Sequence, residues 1–197
     1  MLFYFIYFLF APVFSLIIYI SKFLNKKIQH HLTHENQTLK NVLKKLSYID
    51  RNQTKILLFH AASAGEFEQL KPILKKIDRN KYFLIQSFTS PTIFTKEFNN
   101  NLFDVCCYQP YDLFWKSYYY FSKIKPHAYI VTRHDIWPSH LYFARKLGIK
   151  IFYINANLHL NSIWIKKYIS WVSKSIFKNL HFCLVPSENI KNIFLNI

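Results

Sequence analysis

The stretch His60-Ala-Ala-Ser-Ala-Gly-Glu66 places a carboxylate just beyond an apolar run, Lys55-Ile-Leu-Leu-Phe-His60, that reads as a buried strand. In open α/β sheets, ligands bind at the carboxyl ends of the strands. Small residues at 61 to 65 let a substrate approach the backbone, so Ser63 and Gly65 are candidate contacts, and Gly65 can open the following helix. Glu66 then falls in the first helical turn, facing the cleft. A carboxylate there can accept the proton of a hydroxyl, such as a sugar's, as it attacks an anomeric carbon, a contribution of about 10²–10⁴-fold. The same position has a structural use, because an acid in the first turn complements the helix dipole by about 0.3–1 kcal/mol. The dipole would also lower the pKa of Glu66, leaving it ionised but a weaker base. Spacing alone leaves both roles open.

The elements that must position these residues alternate regularly. Short apolar runs predict strands over 55–60, 82–87, 103–108, 127–132, 150–155 and 181–185. Between them, helices are predicted over 65–77, 91–98, 112–124, 135–147 and 163–177, with Gly148 as the left-handed stop of the fourth. Strands alternating with helices of about ten to fifteen residues give an α/β fold, a parallel sheet with helices on both faces.

Composition narrows the function classes. Only two glycines, Gly65 and Gly148, are present, which excludes a dinucleotide-binding G-x-G-x-x-G fingerprint and a Walker loop. Cys106, Cys107 and Cys183 form neither a zinc pattern nor a disulfide framework, and read as core thiols in a reducing compartment. No cofactor or metal is expected. The formal charge of +16, from 26 basic and 10 acidic residues, points to anionic partners. Zinc-finger, basic-zipper and RNP signatures are lacking, so nucleic acid is not the expected one.

The N-terminus favours lipid. The run from Leu2 to Ile20 is almost wholly apolar and aromatic, and Lys22, Lys26 and Lys27 follow it. About 20 helical residues rise roughly 30 Å, enough to cross a hydrocarbon core, and the positive flank keeps the remainder cytoplasmic. Pro12 leaves a kinked, monotopic insertion open as the alternative to a span. The expected division is an anchor helix over 1–24, a basic juxtamembrane linker with some helix over 25–52, and a folded domain over 53–197. His30, His31 and His34 in the linker read as solvated residues near headgroups and not as a metal site.

The motif His-Ala-Ala-Ser-Ala-Gly-Glu, followed by Gln69-Leu-Lys-Pro72, resembles the signature of 3-deoxy-D-manno-octulosonic acid (Kdo) transferases. Thr89-Ser-Pro-Thr92, Pro110-Tyr-Asp112 and Asp135-Ile-Trp-Pro138 are similar to further segments of that family in the same order, with weaker likenesses at Asn155-Ala-Asn157 and Pro186-Ser-Glu188. The chain departs from the family at Arg133, where an acid is usual, at Ile93, where glycine often stands, and at Asn157, where arginine is common. The resemblance implies the Rossmann-like N-terminal, acceptor-side half of a two-domain GT-B glycosyltransferase behind a membrane anchor. It implies transfer of Kdo from CMP-Kdo to the lipid A precursor at the cytoplasmic face of the inner membrane, with the donor domain expected to be absent from this sequence. Glu66 is the implied base, and Ser63, Gly65, Ser90, Thr92, Asp135, Asn155, Ser187 and Glu188 are the implied substrate contacts. Asp135 has a second reading as a helix N-cap, and Trp137 reads as packing between helix and sheet. Another lipid-directed GT-B transferase, or a non-catalytic membrane-bound remnant, are the alternatives.

Overall fold

The computed structural model describes residues 2–133, 135–158 and 162–196. Met1 of the expected anchor, His134 beside the Asp135 motif and Ile197 at the end of the expected domain lie outside the described residues. Helices α1 (Leu2–Leu9) and α2 (Ala11–Leu24) lead into α3 (Lys26–Leu46). There follow β1 (Lys55–Ala61), α4 (Ala64–Leu74), β2 (Tyr82–Phe88), α5 (Pro91–Glu97), β3 (Val105–Tyr108), α6 (Phe114–Ile124), β4 (Ala128–Thr132) and α7 (Pro138–Lys146). The chain continues through β5 (Lys150–Ile154), two short 3-10 turns, α8 (Ser170–Phe177), β6 (Phe182–Cys183) and α9 (Glu188–Leu195).

The strands form one parallel sheet in the order β3-β2-β1-β4-β5-β6. Parallel strands with both faces covered are apolar throughout, and β2, β3 and β4 are buried along nearly their whole length. Because βαβ crossovers are right-handed, stepping from β1 towards β3 and from β4 towards β6 puts the connecting helices on opposite faces. The two cores follow that rule. On one face, Phe67 and Leu70 of α4 and Phe94 of α5 pack on Phe59, Leu84 and Phe88. On the other, Phe121 of α6, Leu141 of α7 and Ile176 of α8 pack on Leu58, Val131 and Ile151. Leu57, Ala128, Ile130 and Phe152 line an open groove of about 1100 Å³ on the α4 face, towards the amino ends of the strands.

The segment expected to be a juxtamembrane linker with some helix is mostly helix, and the solvated reading of its histidines is corrected at His31. Helix α3 runs for 21 residues, and Leu39, Val42 and Leu46 enter the core beside β3. The upper part of its buried stripe is polar, and each of its side chains reaches a partner outside the helix. His31 Nδ1 lies 2.9 Å from the Thr89 carbonyl. Glu35 accepts from Lys116 Nζ at 2.8 and 3.0 Å. Thr38 Oγ1 accepts the Tyr108 N–H at 3.1 Å. His31 is therefore fully buried, not solvated, whereas His30 and His34 are exposed.

Several element boundaries also differ. The helix expected over 163–177 begins only at Ser170, because Lys166 takes an extended conformation (ψ 133°) that separates two 3-10 turns. The helix expected from Asp135 begins at Pro138, with Trp137 at its N-cap position. The last strand is two residues long on a half-exposed sheet edge. Gly148 stops α7 at φ +74°, as expected.

Candidate active site

Strand β1 delivers His60, fully buried, to the carboxyl edge of the sheet. Ser87 of β2 donates its hydroxyl proton to the Phe59 carbonyl at 3.1 Å, so its oxygen is free to accept from His60 Nδ1 at 2.9 Å. The other ring nitrogen faces Asp135 Oδ2 directly. Both ring nitrogens thus lie against side-chain oxygens, which fixes the orientation of the ring. Burial pushes the Asp135 carboxyl up, but the His60 charge, with hydrogen bonds from His60 and Trp137 Nε1, more than offsets this and holds it below its usual range.

The backbone after β4 is shaped to deliver that carboxylate. Arg133 (φ +57°) and Asn155 (φ +50°) both take left-handed conformations at the ends of β4 and β5, where a non-glycine residue costs roughly 1–2 kcal/mol. Arg133 is held there by its N–H to the Ile154 carbonyl at 3.2 Å and by the Tyr153 hydroxyl on its own carbonyl. Asp135 is consequently not the N-cap of α7. Asp112 does that work from the preceding crossover, accepting the N–H groups of Ser139 (3.2 Å) and His140 (3.1 Å) and pairing with His140 Nδ1 at 2.7 Å. Trp137 is half-buried at this rim, its ring edge-on to His140 and stacked towards Tyr111. It anchors Asp135 as well as packing.

Glu66 is built into the cap of α4. Its Oε2 accepts the N–H groups of Ala62 at 2.6 Å and Ser63 at 3.3 Å, while Ser63 Oγ accepts the Glu66 N–H at 3.4 Å, a reciprocal capping box. The side chain is only 7% exposed. The expectation that Glu66 faces openly into the cleft is therefore corrected: unpaired turn amides draw its carboxylate back over the cap. The expected fall in its pKa is corrected too. Burial raises it, with Asp135 adding to the rise, and this outweighs the amide hydrogen bonds and His60.

The remaining expected contacts fall in different places. Ser63 and Gly65 are exposed on the first turn of α4, and a side chain added at Gly65 would meet open space. Ser90 occupies the N-cap position of α5 without a side-chain capping bond, and Thr92 is exposed two residues on. Asn155 is tied by its amide to Gln69 of α4. Ser187 caps α9 by accepting the Ile190 N–H at 3.4 Å, and Glu188 pairs with Lys191 at 3.2 Å on the surface. Three strand spacings of about 4.8 Å put β6 roughly 14 Å across the sheet from β1, so these two stand apart from His60 and Glu66. Among the described residues, no three His, Cys, Asp or Glu side chains gather to hold a metal ion.

The protein-family profile of 3-deoxy-D-manno-octulosonic-acid transferase (kdotransferase) matches residues 36–197. The chain belongs to the Kdo transferase family. It is 27% identical over 147 residues to the 3-deoxy-D-manno-octulosonic acid transferase of Chlamydia muridarum (strain MoPn / Nigg), covering 72% of this chain and 34% of that protein. The Kdo transferase-family chain thus spans about a third of this relative's length. Its fold is shared with UDP-GlcNAc 2-epimerase from Methanocaldococcus jannaschii (TM-score 0.51, 18% identity, covering 72% of this chain and 42% of that one). The Neisseria meningitidis UDP-GlcNAc 2-epimerase bound to UDP-GlcNAc is similar (TM-score 0.50, 13% identity, 72% and 42% covered).

Sequence reasoning assigns no role to His60 or Asp112, although both stand inside family-like segments. The signal for His60 is a lone imidazole closing an apolar strand at the ligand-binding edge. Asp112 offers none, because its partners are backbone amides 27 and 28 residues away.

Proposed function

We propose that this chain is the acceptor-binding half of a membrane-attached glycosyltransferase that moves Kdo from CMP-Kdo to the lipid A precursor in lipopolysaccharide biosynthesis. The work is done at the cytoplasmic face of the inner membrane. Family membership supports the reaction class. The observation that carries the reading at this site is the buried Glu66 carboxylate, raised in pKa and set beside the His60–Asp135 pair at the carboxyl edge.

In the proposed step, an acceptor hydroxyl oxygen attacks the anomeric carbon of Kdo. The carbon–oxygen bond to CMP breaks, CMP departs with its bonding electrons, and the hydroxyl proton passes to Glu66. Oε2 stays with the cap, and Oε1 has no hydrogen-bond partner among the described residues, so it is the oxygen that takes the proton. A raised pKa makes that carboxylate a better base. His60, Asp135 and Trp137 hold the rim against which the acceptor lies. Ser63, Gly65, Ser90, Thr92, Asp135 and Asn155 are the proposed acceptor contacts, with Ser187 and Glu188 on the far side of the sheet edge. The acceptor is a phosphorylated amphiphile, and an anchored domain of charge +16 suits it, each lysine near an anionic leaflet being worth about 1 kcal/mol.

The test supplies the chain with a Kdo transferase C-terminal half and offers lipid acceptor with either CMP-Kdo or UDP-sugars. Kdo incorporation from CMP-Kdo is expected. Turnover of a UDP-sugar alone, or of no donor at all by a folded complex, would overturn the reading.

A further inference from the structure

The first 24 residues have two distinct faces. Tyr4, Tyr7, Phe8 and Ala11 recur at helical spacing and turn inward, with Tyr4 at 4% and Ala11 at 1% exposure. Ser15 and Ile18 continue the same half-buried stripe along α2. On the outward face, Leu2, Phe5, Leu9, Val13, Leu16 and Ile20 are between 51% and 69% exposed. The stretch Leu2–Leu24 is long and apolar enough to cross a membrane.

The inward stripe is fixed to the folded body by polar as well as apolar contacts. The Tyr4 hydroxyl donates to the Ser175 carbonyl at 3.2 Å and accepts from Asn179 Nδ2 at 2.7 Å. The Tyr7 hydroxyl donates to Asp112 Oδ2 at 2.7 Å, the carboxylate that also holds the amino end of α7. Phe8 packs against Phe114 and Phe143, with ring centroids 5.3 and 5.7 Å apart.

A perpendicular span is hard to reconcile with this attachment. Carrying α1 through the hydrocarbon would either break these contacts or drag Asp112 and Asn179 into lipid, where buried polar groups without partners are costly. Helix α2 alone, 14 residues, rises about 21 Å, short of the roughly 30 Å hydrocarbon core.

We propose that α1 and α2 lie in the plane of the membrane interface as a half-buried strap. The body packs on one face, and the acyl–headgroup boundary of an anionic phospholipid leaflet covers the other. Two flanks argue for that occupant. Beside α1, Trp171 approaches Phe3 at 6.2 Å, and Tyr168 and Trp171 are 71% and 48% exposed next to Lys166 and Lys167. On the other side, Trp115 and Tyr118 of α6 are exposed beyond Phe114. Amphipathic aromatics and lysines bordering an apolar helix are the side chains that settle at headgroup depth. Lys22, Lys26 and Lys27 follow at the end of the strap. Because Tyr7 and the amino end of α7 share Asp112, seating the strap brings the candidate active-site rim close to the leaflet that would carry a lipid acceptor.

The inference rests on the membrane attachment proposed above but not on the donor or acceptor. It is tested with a neutral Gly-Ser-Cys extension placed before Met1, in a Cys183→Ser background that leaves only the two buried native thiols. A second variant carries Tyr48→Cys, at a site 78% exposed on the folded body, in the same background. A membrane-impermeant maleimide is added to right-side-out spheroplasts and to inside-out vesicles. Labelling of both cysteines from the same, cytoplasmic face is expected. Labelling of the extension only from the opposite face would overturn the in-plane strap while leaving membrane attachment intact. Recovery of the whole chain in the soluble fraction would overturn the attachment and the strap together.

Discussion

At Glu66 one carboxylate serves a fold and, in the proposed step, a reaction, and the two uses separate by substitution. Glu66→Gln keeps an oxygen for the Ala62 and Ser63 amides, because glutamine also completes a capping box. Glu66→Ala removes it and is expected to lower unfolding free energy by about 0.5–2 kcal/mol. Both variants should lose about 10²–10⁴-fold in transfer rate, measured with the completed enzyme; a glutamine variant with unchanged rate would assign Glu66 to the cap alone. Because burial raises the Glu66 pKa and a base must be ionised, the acid limb of the rate profile should lie above the ordinary glutamate value of about 4.3. The Asp135–His60 pair behaves in the opposite sense. Its depressed carboxyl stabilises the fold above the ordinary aspartate value and loses that contribution only as pH falls through the lower folded value. His31 adds a second pH dependence. Burial lowers its pKa to about 4, with Lys116 adding to the fall and the Thr89 carbonyl opposing it. Between about 6.5 and 4 the unfolded chain binds the extra proton, so stability should fall on acidification by on the order of 3 kcal/mol. Denaturant titrations of wild type and His31→Gln across that window test this, and an equal slope in both would refute it.

At the scale of elements, α3 carries the clearest prediction. Leu46 is 5% exposed at its base, so Leu46→Ala should cost about 2–5 kcal/mol in thermal or chemical unfolding. A change near zero would mean that the helix is a loose connector after all. The strands were legible in the sequence because buried parallel strands are continuous apolar runs, and 82–88 or 128–132 can hardly be read otherwise. Helix α3 was not legible, because half of its inward stripe is His31, Glu35 and Thr38. These residues are buried only by partners on β3, α6 and the loop after β2, which no local pattern reveals. The stretch 163–169 misled in the other direction: its apolar residues are spaced for a helix, yet an extended Lys166 breaks it into 3-10 turns. Of the candidate site, the Glu66 segment and Asp135 were visible as motifs. The His60–Asp135 contact spans 75 residues and depends on β1 and β4 being neighbours, which only the sheet order supplies.

At the scale of the whole molecule, the sheet places its ionisable cluster at one edge, its apolar strap on the flank of α6, α7 and α8, and an uncovered apolar groove on the opposite face. That distribution suits the proposed chain, one that meets lipid directly along the strap and offers its carboxyl edge to an acceptor. The proposed division of labour between acceptor and donor halves is open to equilibrium binding on the chain as it stands. With a labelled phosphorylated lipid A precursor in detergent, saturable binding is expected that weakens as salt is raised and is displaced by the deacylated, still phosphorylated acceptor, alongside no measurable binding of CMP-Kdo. Tight CMP-Kdo binding without displaceable acceptor binding would contradict it.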